Sequence, residues 1–185
     1  MTADRPAMEP VPLPVALALL CAFLNPARAG PAIRLDAFLG AFDRTCEGSP
    51  AYGECETTVR RRHVFDGPRS GAVMIPPAIR AAIGRATATN EGEYTQIRVP
   101  IRNATYRGLP LAVLLVAAGH SNGINVRSLI FAVPIGEARE RLGRHLREAD
   151  AQVRRSLAEA SAPGREHVVL RPVGDRAELV CDLST

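Results

Sequence analysis

The stretch from Leu111 to Val133 constrains this chain more than any other. Leu111 to Ala118 is apolar without a break, Gly119-His120-Ser121-Asn122-Gly123 reads as a turn, and Ile124 to Val133 is mostly apolar again. Asn122-Gly123 is a hairpin signal, because both residue types tolerate positive φ. Alternation puts Val113 and Leu115 on one face of the first strand and Leu114 and Val116 on the other. A half-solvated hairpin would alternate apolar with polar residues. This pair is therefore predicted to be central in a sheet, with a layer on each face.

The flanks supply the rest of the architecture. Pro134 opens a predicted long helix to about Ala160, with Ile135, Ala138, Leu142, Leu146, Ala149, Val153 and Leu157 recurring every three or four residues. Its other side carries Glu137/Arg141, Glu140/Arg144 and Asp150/Arg154, each an acid four residues before an arginine. His167 to Val173 and Arg176 to Leu183 form a predicted closing hairpin around Gly174-Asp175. Leu35 to Arg44 reads as a short amphipathic helix and residues 47–56 as a loop. Thr57 to Phe65 is rich in β-branched residues and is predicted as a strand. Pro76 to Gly84 fits a short helix with proline at its start and glycine at its end. Tyr94 to Arg102 alternates as a strand, and Pro100 denies the ladder one N–H, which places it at an edge or a bulge. The expected fold is α+β: an antiparallel sheet of about five strands with a short N-terminal helix and one long helix packed on it.

The amino terminus reads as an address. Val11 to Leu24 is uncharged and too short to span a bilayer, and Ala27-Arg28-Ala29 follows Pro26 as a small-x-small cleavage pattern. Residues 1–29 are expected to be a secretory signal peptide and 30–185 a single domain. Cys21 would leave with the leader, and it lacks the small residue before it that a lipoprotein box requires. The mature chain then shows no integral membrane span and is expected in a bacterial periplasm or secreted. Cys46, Cys55 and Cys181 remain, so at most one internal disulfide forms. A Cys46–Cys181 bridge would tie the first helix to the last strand. A Cys46–Cys55 bridge would close the loop EGSPAYGE, and proximity in sequence favours it slightly.

Candidate sites are few. All 23 basic residues are arginine, which removes every lysine-dependent chemistry, from Schiff bases to phosphate-loop lysines. Arginine-favouring codons account for most of that bias. On the predicted strands Arg60 and Arg62 point one way and Arg61 and His63 the other. With Arg98 and Arg102, and Arg107 nearby, they could form a cationic patch for an acidic protein or another polyanion. A charge-guarded sheet edge explains them as well. Three Tyr and five Phe are too few for a base-stacking platform, so nucleic acid is not expected. His120 beside Ser121 invites a hydrolase reading, but adjacent turn residues rarely form a base–nucleophile pair, and no Gly-x-Ser-x-Gly elbow exists. His120 and Asn122 are binding candidates in the same turn, although turn chemistry alone explains them. No metal-ligand spacing and no cofactor motif is found. The leading expectation is a non-catalytic, exported protein-binding or inhibitor-type module acting through its sheet edge and turn loops. The alternatives are a hydrolase using His120 and Ser121, and a structural homodimer whose second subunit covers the apolar hairpin.

Overall fold

A computed structural model describes residues 30–65, 73–159 and 167–185, with the backbone alone for 152–159 and 167. The leader reading of residues 1–29, Cys21 included, lies outside the described residues. So do Asp66-Gly67-Pro68 and the predicted helix stop at residues 161–164. Residues 31–185 form one compact unit.

The predicted hairpin is the middle of the sheet. Strands β5 (Leu109–Gly119) and β6 (Asn125–Phe131) pair antiparallel, with Leu114 opposite Leu129 and Val116 opposite Arg127. Beyond β6 lie β8 (Arg176–Asp182) and β7 (His167–Val173), the closing hairpin that the sequence predicts. The other edge of β5 takes two strands in succession. β3 (Tyr94–Pro100) pairs with its C-terminal half, and β4 (Ala104–Tyr106) with its start. β2 (Thr87–Asn90) covers β3, and β1 (Ile33–Arg34) joins β4 in parallel. Among the described residues the mixed sheet thus has eight strands, nearly all antiparallel, rather than about five. The additional β1, β2 and β4 have two to four residues each, too short for a period-2 pattern to show.

The helical layer departs further from expectation. The segment from Leu35 to Arg44 is two short helices, α1 (Asp36–Leu39) and α2 (Phe42–Thr45), separated at Gly40, where φ is +56°. The predicted loop 47–56 and strand 57–65 are instead one helix, α3 (Pro50–Arg60), running into a π-helical turn at Arg61–Phe65. Ser49 caps it by accepting the Tyr52 N–H at 3.2 Å, and Pro50 fills the first helical position, where a missing N–H matters least. The β-branched run Thr57-Thr58-Val59 is overridden by packing, because Tyr52, Cys55 and Glu56 are buried one helical turn apart. The segment after Pro76 is a short 3-10 helix, Pro77–Ala82. Helix α4 (Ile135–Glu159) matches its prediction and buries Ala138, Leu142 and Ala149. Its surface pairing differs, since Arg144 meets Glu148 at 3.8 Å rather than Glu140.

One core unites these parts. Ile97, Leu114, Leu129 and Leu179 share a sheet face with Phe131 and pack with Leu39, Phe42, Tyr52 and Leu142 from the helices. The other face carries buried Val113, Ile130 and Val180, with Val169 and Val173 exposed at its β7 edge. The described helices pack on the first face, so the expected second layer is not found among the described residues.

Two covalent or charged ties fix the helices to the sheet. Cys46, at the end of α2, is bonded to Cys181 of β8, with Cα atoms 5.5 Å apart. That overturns the preference for the loop bridge: Cys55 is on the next helix, a buried free thiol. Asp43 is fully buried and accepts from Tyr106 at 2.6 Å, from Arg107 at 3.1 Å and from His145 of α4. Burial alone would raise the Asp43 carboxyl, but Arg107, Tyr106 and His145 outweigh it and hold it below its ordinary value. Arg107 adopts a left-handed φ of 52° in the β4–β5 turn. Its backbone N–H to Asp36 at 3.0 Å and its guanidinium to Asp43 hold it there.

Candidate functional site

Helix α3 was not foreseen, and it builds one wall of a cavity of about 340 Å³. Tyr52, Cys55, Glu56 and Val59 sit at i, i+3, i+4 and i+7 and so share a face. The π-helical turn carries the same line on to Arg62 and His63. The sheet supplies a second wall from Val99, Leu114 and Val116. The third is the segment around the 3-10 helix, with Ile75, Ile83 and Ala86. Gly84 lets that segment lie against the strand end: its N–H donates to Pro100 O at 2.7 Å, and a Cβ there would come within 2.8 Å of the same oxygen.

The lining is apolar apart from a few groups with defined states. Cys55 is buried and directs its thiol to Met74 O at 2.8 Å. Burial, assisted by the Glu54 charge, raises this thiol, so it stays protonated at neutral pH. Burial and then Arg62 push the His63 imidazole below its ordinary value, so it is neutral there. Glu56 is the one acid in the lining among the described residues. It is held by Arg60 at 3.0 Å and by Arg127 of β6 at 2.9 Å. The Tyr52 hydroxyl is buried, with no donor or acceptor at hydrogen-bond geometry. Burial and the nearby Glu56 charge push its ionisation far up, so it remains a donor. Nothing in this set pairs a nucleophile with a base. A protonated thiol bonded to a carbonyl, a neutral imidazole and an un-ionised phenol suit contact with a bound molecule.

The residues singled out from sequence are dispersed. Arg60 is on α3, ion-paired with Glu56 and hydrogen-bonded to Asn125. Arg62 is exposed at the rim of the cavity. Arg98 is exposed on β3, out of phase with buried Ile97 and Val99, so it stands on the face away from the cavity. Arg102 is exposed just beyond β3, and Arg107 is committed to Asp43. A single row on one strand face does not form, because Arg60 and Arg62 are helical.

The 119–123 turn is exposed at its tip. Asn122 caps it, accepting the Ile124 N–H at 3.2 Å, and only Gly123 has positive φ. His120 Nε2 lies 2.9 Å from Thr95 Oγ1. Thr95 is buried and presents no hydroxyl for attack, and among the described residues no carboxylate orients the ring. The structure does not bring His120 and Ser121 into a catalytic arrangement.

Among the described residues no group of three His, Cys, Asp or Glu side chains could hold a metal, and no helix is long and apolar enough to cross a membrane. Comparison of the chain with protein-family models, with curated proteins and with solved structures finds no match.

The cavity was legible in part. Tyr52, Cys55, Glu56 and Val59 have helical spacing, and Ser49-Pro50 is a helix start. The Gly/Pro content of EGSPAYGE and the β-branched run after it masked both signals.

Proposed function

We propose that this protein is a non-catalytic binding protein that takes one small apolar molecule between α3 and the sheet. The observation that carries this reading is the cavity itself. At about 340 Å³ it lies at the lower end of the range for small-molecule sites, roughly 300–1,000 Å³. Its walls come from a helix, a sheet and a short helical segment, so its shape does not depend on a single loop.

The proposed address is outside the cytoplasm, in a bacterial periplasm or secreted. The leader-like pattern of residues 11–29, the Cys46–Cys181 bridge and the lack of a membrane-crossing helix among the described residues support it.

Titration with straight-chain alcohols from hexanol to decanol tests the binding reading. Each methylene that moves from water into the cavity is worth about 0.8 kcal/mol, so affinity rises about fourfold per carbon. Affinities that ignore chain length, or no binding at all, overturn it.

A second reading keeps the protein–protein role expected from sequence. Val169 and Val173 are exposed on the β7 edge, beside the sheet face that carries Val113 and Val180. A second copy of this chain against that face would cover them. Sedimentation at micromolar concentration tests this, and a strict monomer removes it.

A further inference from the structure

The charges around the cavity identify the chemical class of its occupant. Glu56 is its only acidic lining residue among the described residues, and two guanidinium groups, Arg60 and Arg127, face that one carboxylate. The floor is therefore already more than neutralised. At the opening, Arg62 and Arg85 are exposed lining residues. Neither has an ion pair or hydrogen bond among the described residues. Apolar walls below and two cations above make an amphipathic site whose opening carries positive charge alone among the described residues.

We infer that the occupant is a single-chain amphiphile with an anionic head group, its chain on the apolar walls and its head against Arg62 and Arg85. This rests on the cavity being a ligand site, as proposed above. A guanidinium suits a carboxylate or a phosphate, since its planar fork can donate two hydrogen bonds to either. His63, neutral at the same opening, accepts or donates without adding charge. The Tyr52 hydroxyl, buried beside Glu56 without a hydrogen bond of good geometry, offers one donor to an oxygen of the occupant.

Calorimetric titration with three probes of one chain length tests the inference: decanoate, decanol and decyltrimethylammonium. Decyl phosphate is a fourth arm, which separates a carboxylate preference from a phosphate preference. The wild-type protein is expected to bind an anionic probe about tenfold tighter than decanol, as one charge-assisted hydrogen bond implies. The cation should bind weakest. Raising the salt concentration should narrow the difference. The double variant Arg62→Gln/Arg85→Gln should lose the anion preference and keep its decanol affinity, which also shows that it is folded. Arg98→Gln, on the far face, should keep the preference.

Equal binding of decanol and both anions by the wild type overturns the inference and leaves the cavity reading standing. So does a preference that survives in the double variant. Failure of every probe to bind overturns both.

Discussion

Arg127 of β6 donates to the Glu56 carboxylate of α3 at 2.9 Å, across the boundary between sheet and helix. The Glu56 side chain is 5% exposed and that of Arg127 20%, so this contact is mostly removed from water. It ties α3 to the sheet beside the cavity that Glu56 lines. Arg127→Met should lower stability by about 2 kcal/mol, the scale of a partly buried hydrogen bond to a charged group. In a Glu56→Gln background the same change should do less, because the carboxylate is gone, while the Arg127 bond to Cys46 O at 3.1 Å is lost in both backgrounds. Denaturant unfolding of the four proteins measures both.

The Cys46–Cys181 bridge closes a long loop, its ends 135 positions apart in sequence. Restricting the unfolded chain over such a span gives about 5 kcal/mol. Cys181→Ser should lower stability by that order under oxidising conditions. Under strong reductant, wild type and variant should unfold almost together. Cys55 should resist thiol reagents in the native protein and react on unfolding, which mass analysis of the labelled peptide would show.

Asp43 sets the acid limit of the fold. Its carboxyl is held below the ordinary value in the native state and returns to about 3.9 on unfolding. The stabilisation is therefore complete above about pH 4 and is lost as pH falls through the lower native value. Asp43→Asn should lower stability at neutral pH by about 3 kcal/mol, since it leaves Arg107 facing no carboxylate. It should also flatten the decline below pH 4. Melting temperature against pH for both proteins tests the sign.

Tyr52 offers a contrast. Its hydroxyl is buried beside the Glu56 carboxylate without a hydrogen bond of good geometry, so Tyr52→Phe removes a group that the native state satisfies poorly. Stability should stay level or rise by about 1 kcal/mol, where a phenol in a structural hydrogen bond would lose that much. Thermal unfolding distinguishes the two.

Local sequence pattern revealed the parts of this fold in which neighbours along the chain decide the structure. The β5–β6 hairpin, the β7–β8 hairpin and α4 all have long apolar repeats and clear turn residues. The four-residue β2 and the three-residue β4 do not, and they exist because β3 and β5 offer them ladders. Helix α3 is the more instructive case. Gly53, Thr57, Thr58 and Val59 are poor helix formers, yet Tyr52 and Glu56 reach the core and Arg127 only if the segment is helical. Reading the segment as a strand put Arg60 and Arg62 on a strand face instead of a helix, and so concealed the cavity that Arg62 borders. The bridge from Cys46 to Cys181 could be named from sequence as one of two pairings. Choosing it required knowing that α2 ends beside β8.

The central claim is that the space between α3 and the sheet is a binding site, and filling it tests that most directly. Ala86 lines the cavity and is half-buried, so Ala86→Phe places a ring in the space a ligand would take. Titration of decanol into this variant, with its melting temperature recorded alongside, should show binding lost and the fold as stable as wild type or more so. Decanol binding of wild-type strength by the folded variant would contradict the account.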